Sequence, residues 1–107
     1  MPGYPDLFWV RVENAEGVAR LRLTGRLDTA AIAYLGDKID HARGRDVVLD
    51  LRGVTFADDA AWIAVRSFEV QVRGWGRSLW LERAAGAVRE LFESEETQHL
   101  LTTAGHG

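Results

Sequence analysis

The stretch VVLDLRGVTFADDAAW, residues 47–62, decides the fold of this 107-residue chain. Its first half is apolar on both faces, which predicts a strand over residues 46–51 in the middle of a sheet. Helices would cover that strand on both sides, or a helix on one side and a neighbouring layer on the other. Residues 53–57 are predicted to be a loop, and Asp58 or Asp59 then opens a helix, because aspartate accepts the free N–H groups of a first turn. The buried stripe of this helix is Ala61, Val65, Phe68 and Val72.

Upstream of this stretch, the pattern predicts a hairpin followed by a helix. Apolar and polar residues alternate over residues 8–13 and again over 19–24, as in two half-buried antiparallel strands joined by a turn. Gly25 is predicted to end the second strand, and Asp28 or Thr29 caps a helix that runs to residue 43. The inward positions of the first strand are Phe8, Val10 and Val12.

Downstream, a strand is predicted over residues 78–81, a helix over 84–92 and a short element over 99–101. Because a helix separates the hairpin from the central strand, those strands can pair in parallel. The fold class is therefore α/β, at the border with α+β. One domain over residues 8–102 is predicted to contain a mixed sheet of four to five strands packed with three to four helices. An N-terminal extension, residues 1–7, precedes this domain, and a C-terminal tail, residues 103–107, follows it.

Composition excludes several classes of function. The chain has no cysteine, so disulfides, cysteine zinc sites and thiol nucleophiles are ruled out. Its 13 basic and 16 acidic residues are interspersed and give a net charge of -3, which argues against nucleic-acid binding. The longest apolar runs are far shorter than the roughly 20 residues that span a bilayer. We therefore expect no direct membrane insertion and a cytoplasmic location.

Four aspartates are the strongest candidates for chemistry. Asp28, Asp50 and the pair Asp58-Asp59 are each predicted to lie where a strand ends or a helix begins, and such an edge can hold magnesium in α/β folds. The other interpretation is that aspartates at helix starts only cap free amides. No phosphate-binding loop is present, and the serines and histidines form no triad spacing. We expect no enzyme activity, no cofactor and no metal, with an enzyme or small-ligand sensor built on these carboxylates as the minor alternative.

Four tryptophans are many for this length, and they mostly fall opposite the predicted inward positions. Partly exposed tryptophans favour a protein interface, because the ring offers a large apolar area at a small entropic cost. Packing on a second face of the domain is the alternative. The four residues are Trp9, Trp62, Trp75 and Trp80.

Three segments together resemble a STAS domain, the fold of bacterial anti-sigma factor antagonists. They are residues 25–28 (GRLD), residues 47–56 (VVLDLRGVTF) and residues 58–61 (DDAA). The resemblance covers roughly residues 8–101. It implies a protein partner, such as an anti-sigma factor, a kinase-like ATPase or another regulatory protein of bacterial signal transduction and transcription regulation.

The resemblance also places a site at the start of the second helix. In the family that loop typically reads Asp-Ser-Ser-Gly, and a partner kinase that also serves as anti-sigma factor phosphorylates the second serine. Here Ala60 stands at that position, which implies no phosphorylation there and leaves open whether Asp59 imitates the phosphorylated state. The implied partner-binding residues are Asp28, Asp58, Asp59, Ala60, Ala61 and Trp62.

Two functions are compatible with these features. The first is a non-enzymatic binding module that regulates a partner without phosphorylation at Ala60, as a constitutive antagonist or a scaffold. The alternative is a cytoplasmic accessory subunit of a lipid or anion transport assembly, a role that some STAS domains have. The identity of the partner, phosphorylation of another serine or threonine, and a homodimer all remain open.

Overall fold

A computed structural model describes residues 8–102, which form a five-stranded mixed sheet with helices. The sheet order is β1-β2-β3-β4-β5, with β1 antiparallel to β2 and every other neighbouring pair parallel. This confirms the predicted fold class; the predicted extension 1–7 and tail 103–107 lie outside the described residues. The strands are Trp9–Ala15 (β1), Val18–Leu27 (β2), Asp46–Ala57 (β3), Leu79–Glu82 (β4) and Leu101–Thr102 (β5), and the helices are Thr29–His41 (α1), Asp59–Gly74 (α2), Gly86–Phe92 (α3) and a short 3-10 helix, Gln98–Leu100.

The core lies between the sheet and the helices. Alternate residues of the central strands point toward the helices and are buried, as the period of two requires. The predicted stripe of α2 is confirmed, since its four residues are all buried. Fully buried members of the core include Leu21, Leu49 and Leu81 from the sheet and Leu35, Ile39, Val65 and Phe92 from the helices.

The other face of the sheet carries no covering layer within the described chain, so the prediction of layers on both sides of β3 is wrong. Val48, on this open face, is nevertheless only 7% exposed. It is flanked in the sheet by Arg20 of β2 and Trp80 of β4. The guanidinium of Arg20 reaches past it to form an ion pair with Glu82 of β4. Side chains of neighbouring strands, rather than helices, therefore bury the apolar residue.

Both central strands are longer than predicted. Gly25 does not end β2, and residues 53–57 continue β3 instead of forming a loop. The two strands stay paired because the ladder shifts register at two irregularities, so that β3 holds extra residues. At the first shift, the carboxylate of Asp50 accepts the backbone N–H of Arg52 at 3.0 Å, which satisfies a donor at the irregularity. Asp50 is consequently buried within β3 and does not lie at its end.

The first strand departs from the prediction at one position. Phe8 and Val10 pack against the core, and the Phe8 ring meets Tyr34 of α1 edge-on at 6.1 Å between centroids. Val12 shares their side of the sheet but is 43% exposed. It lines an open cavity together with Lys38 and His41 near the end of α1, so α1 does not pack closely against it. The predicted side of Val12 is therefore confirmed, but its burial is incomplete.

The carboxylate of Glu69 on α2 contacts the segment after α3. Glu69 Oε2 lies 2.8 Å from His99 Nε2 and 3.0 Å from Arg73 Nη2. Burial would raise the pKa of Glu69, but the hydrogen bonds and charges of His99 and Arg73 outweigh it and hold the pKa below its ordinary value of 4.5. A carboxyl group with a lowered folded pKa stabilises the fold above its unfolded pKa, and this contribution is lost as the pH falls through the folded pKa.

Glu69→Gln is therefore expected to lower the free energy of unfolding by about 1 kcal/mol at neutral pH, because it removes an ion pair in a partly buried position. The difference from the wild type should shrink as the pH falls below the ordinary value of 4.5. Denaturant unfolding across this pH range measures it. Glu96→Gln is the matched control, since Glu96 is exposed and makes no ion pair within residues 8–102. If the stability difference between Glu69→Gln and the wild type persisted unchanged at low pH, the ionised carboxylate of Glu69 would not be its source.

Candidate functional site

The starts of α1 and α2 lie side by side at one end of the sheet. Leu27 and Ala57 are the last paired residues of the adjacent strands β2 and β3. Asp28 and Asp58 follow them directly as the N-caps of the two helices. Two helix N-termini, each with unpaired N–H groups and a positive dipole end, are thereby brought together.

Both capping aspartates use their side chains within the chain. Oδ1 of Asp28 accepts the N–H of Ala31, and Oδ1 of Asp58 accepts the N–H of Ala61, each at 3.1 Å. Among residues 8–102, no group of three or more acidic or histidine side chains could hold a metal ion. The predicted gathering of aspartates at one edge holds for Asp28 and Asp58, while Asp50 lies within β3 on the open face. The geometry of these two residues is that of helix caps.

The accessible residues at these helix starts form a small and mostly apolar surface. Asp59 is exposed and is the acidic residue in the first turn of α2, while Ala60 is half-buried. Ile63, one turn along from Ala60, is 61% exposed. We call this set the cap surface: Thr29 and Ala30 of α1, and Asp59, Ala60 and Ile63 of α2.

Two residues that the family resemblance assigned to partner binding point elsewhere. Ala61 is fully buried and belongs to the core, so its methyl group is not available to a partner. Trp62 is half-buried, and its indole N–H donates to Ser94 Oγ at 3.1 Å and to Thr97 Oγ1 at 3.2 Å. Its polar edge thus fastens α2 to the segment that follows α3. Trp62 is chiefly a packing residue, because a buried indole needs an internal acceptor.

The sequence reading missed Ile63 and Val70. Both lie off the buried stripe of α2 and are 61% and 63% exposed. Both residues lie on the polar side of an amphipathic helix, where a β-branched apolar side chain has no packing role in the monomer. This pattern in the sequence could have predicted exposed apolar residues on α2. They extend the accessible apolar area along α2.

The four tryptophans divide into two pairs. Trp9 and Trp80 are 49% and 36% exposed on the sheet, as the sequence predicts. Trp62 and Trp75 are half-buried and pack against the core, as the alternative reading holds. Exposed tryptophans thus mark the open sheet face rather than the cap surface.

A family model described as "Mlab, STAS domain" matches residues 10–102. The anti-sigma factor antagonist SpoIIAA in its unphosphorylated form is similar in structure, with a TM-score of 0.77, 18% identical residues, and coverage of 89% of this chain and 87% of that chain. An anti-sigma factor antagonist from Mycobacterium paratuberculosis has a TM-score of 0.78 and 17% identity, with coverage of 92% and 86%. At these identities, the likeness shows the fold.

The murine Solute Carrier 26 family member A9 anion transporter, in its inward-facing state, also contains a similar unit. Its TM-score is 0.64 at 19% identity, covering 78% of this chain and 14% of the transporter chain. The comparison with curated protein sequences found no match. Within residues 8–102, no helix has the length and apolar character needed to cross a bilayer.

Proposed function

Because this chain belongs to the family described as Mlab, STAS domain, we propose that it is a non-enzymatic module that binds a regulatory protein through the cap surface. The proposed partner resembles an anti-sigma factor or a kinase-like ATPase, and the proposed location is the cytoplasm. The observation that carries the proposal is the position of Ala60, which lies accessible in the first turn of α2 beside an exposed Ile63. This arrangement provides a docking surface with no hydroxyl group at the position of Ala60.

The absent hydroxyl supports a binding role that phosphorylation at this position does not control. A phosphate at a helix start adds about -1.5 to -2 charges and three strong acceptors, enough to rearrange a partner interface. Alanine cannot carry this group. Asp59, next to Ala60 and exposed, instead supplies one constant negative charge at the same end of the helix. We propose that the surface keeps one charge state and that the amount of available partner sets the regulatory outcome.

The cap surface also suggests what the partner must present. Ile63 offers apolar area that is 61% exposed, and the small side chains of Ala30 and Ala60 leave room for a partner to approach the helix starts closely. Asp59 adds a carboxylate at the rim. The complementary partner surface is an apolar pocket with a basic side chain at its edge.

Affinity capture of the tagged protein from its source cells, followed by mass spectrometry of the captured proteins and of the bait, tests this proposal. We expect the wild type to retain a regulatory ATPase or sigma factor regulator, with no phosphate on the bait. An Ile63→Asp bait should lose that protein. Thr55 and Ser67 are both exposed hydroxyl residues. Phosphate on either of them would contradict the proposal that phosphorylation does not regulate this protein.

The second candidate function is a cytoplasmic accessory subunit of a transport assembly. Its support is the similarity to a unit within the Solute Carrier 26 family member A9 anion transporter chain. Co-sedimentation with membranes from the source cells, and capture of transporter subunits, would favour this function. Recovery only in the high-speed supernatant, together with a sigma factor regulator, would favour the first.

A further inference from the structure

The outer edge of β1 is open for pairing. Within residues 8–102, no strand lies beyond β1, and all seven of its residues pair with β2 in one unbroken register. Edge strands are usually protected from further pairing by proline, by a β-bulge, by very short length or by charged side chains. The segment 9–15 reads WVRVENA: it has no proline, it is seven residues long, and its two charged side chains, Arg11 and Glu13, are of opposite sign. Its free N–H and C=O groups can therefore accept another strand.

Two large apolar side chains of β1 are left uncovered, one on each face of the sheet. Trp9 is 49% exposed and lies on the open face of the sheet, as does its pairing partner Thr24 of β2. Val12 is 43% exposed on the helix side. A partner strand laid along the edge would cover both at once.

The sequence of β1 is complementary to itself in one antiparallel register. Centred on Val12, the pairing overlaps all seven residues, and it is the only twofold register that does so because Val12 is the middle residue. Val12 then lies opposite its own copy, and Trp9 lies opposite Ala15, a small residue that leaves room for the indole. Arg11 lies opposite Glu13 in both halves, so opposite charges meet twice.

The charged side chains of β1 are accessible to a second copy. Arg11 Nε lies 3.7 Å from Glu13 Oε2 within the same strand, and Glu13 Oε1 also lies 3.7 Å from Arg22 Nε of β2. The side chains of Arg11 and Glu13 are 65% and 41% exposed. Such an exposed pair contributes little to folding. Shifting the centre by one residue would place Arg11 against Arg11 or Glu13 against Glu13, which like-charge repulsion disfavours.

We propose that the β1 edge binds a second copy of this chain, forming a twofold dimer in which the two sheets are continuous. The proposal does not rest on the cap surface, since β1 contributes none of its residues. Because a single pair of seven-residue strands buries less area than a stable protein interface, the dimer is expected to dissociate in the micromolar to millimolar range.

Sedimentation equilibrium from about 10 µM to about 1 mM tests the proposal, because this range brackets the expected dissociation constant. Arg11→Glu and Glu13→Arg each place like charges opposite one another twice, and each should weaken the dimer by about tenfold or more. The double variant restores opposite charges and should recover most of the affinity. Arg52→Glu and Glu96→Arg are the matched controls, because they make the same charge changes at exposed residues outside β1 that form no ion pair in the described chain.

Amide hydrogen exchange locates the contact in the same samples. We expect the outward N–H groups of β1 to be protected at high concentration and to exchange freely at low concentration. Thermal unfolding of each variant checks that the monomer remains folded. A wild type that stays monomeric to the highest concentration would overturn the proposal, as would a dimer that both single variants leave intact or one whose protection lies outside β1.

Discussion

Gly53→Ala is expected to lower the free energy of unfolding by about 3 kcal/mol, because overpacking against a backbone atom cannot be relieved cheaply. A Cβ at this position would lie 2.8 Å from the carbonyl oxygen of Leu23 and 3.0 Å from Thr24 Oγ1. Gly53 pairs with Thr24 just after the first register shift between β2 and β3. To admit the methyl group, the two central strands would have to separate at the point where the ladder resumes.

Gly74→Ala is the matched control for this prediction. A Cβ at Gly74 meets nothing within 4 Å, and this residue ends α2 without the left-handed conformation that favours glycine. There, alanine should stabilise the protein by about 0.5 kcal/mol, since it restricts the unfolded chain without strain. Denaturant unfolding of both variants measures the contrast. Equal stabilities for Gly53→Ala and the wild type would show that β2 and β3 can move apart at little cost. The close approach of Gly53 to Leu23 and Thr24 would then not be required for stability.

The same stretch shows why the sequence predicted the architecture but not the length of its central strands. The buried apolar run of β3 and the caps at Asp28 and Asp58 follow from local patterns, and local patterns are visible in the sequence. The register shifts depend on how β3 meets β2, about 30 residues away along the chain. From the sequence alone, Gly53 therefore predicts a loop, although it lies at an irregularity inside a strand.

At the candidate site, too, the sequence predicts some features and not others. The position of Ala60 at the start of α2 could be assigned from the sequence, because a cap motif fixes where a helix begins. The inward packing of the Trp62 side chain could not, since its acceptors, Ser94 and Thr97, lie more than 30 residues away. Without that contact, tryptophan looks like the anchor of an interface. With it, the accessible apolar side chain of this end of the helix is Ile63.

The helix position of Ile63 makes it the sharpest probe of the proposed partner interface. Ile63→Asp should weaken partner binding by about 100-fold or more, because the centre of an interface tolerates no unpaired charge and depends on a few apolar anchors. The fold should be nearly unaffected. Ile63 is 61% exposed, and substitutions at exposed residues that make no cap or buried contact change stability little.

Val70→Asp is the control that separates the cap surface from the rest of α2. Val70 lies two turns further along the same helix and is 63% exposed, so the substitution has the same chemistry and a similar cost to the fold. If the partner docks on the helix starts, Val70→Asp should reduce affinity severalfold at most, as expected at the rim of an interface. Titration of the captured partner against the folded variants measures both affinities. A strong loss with Val70→Asp and none with Ile63→Asp would move the contact away from Ala60, and the missing hydroxyl would then have no bearing on regulation.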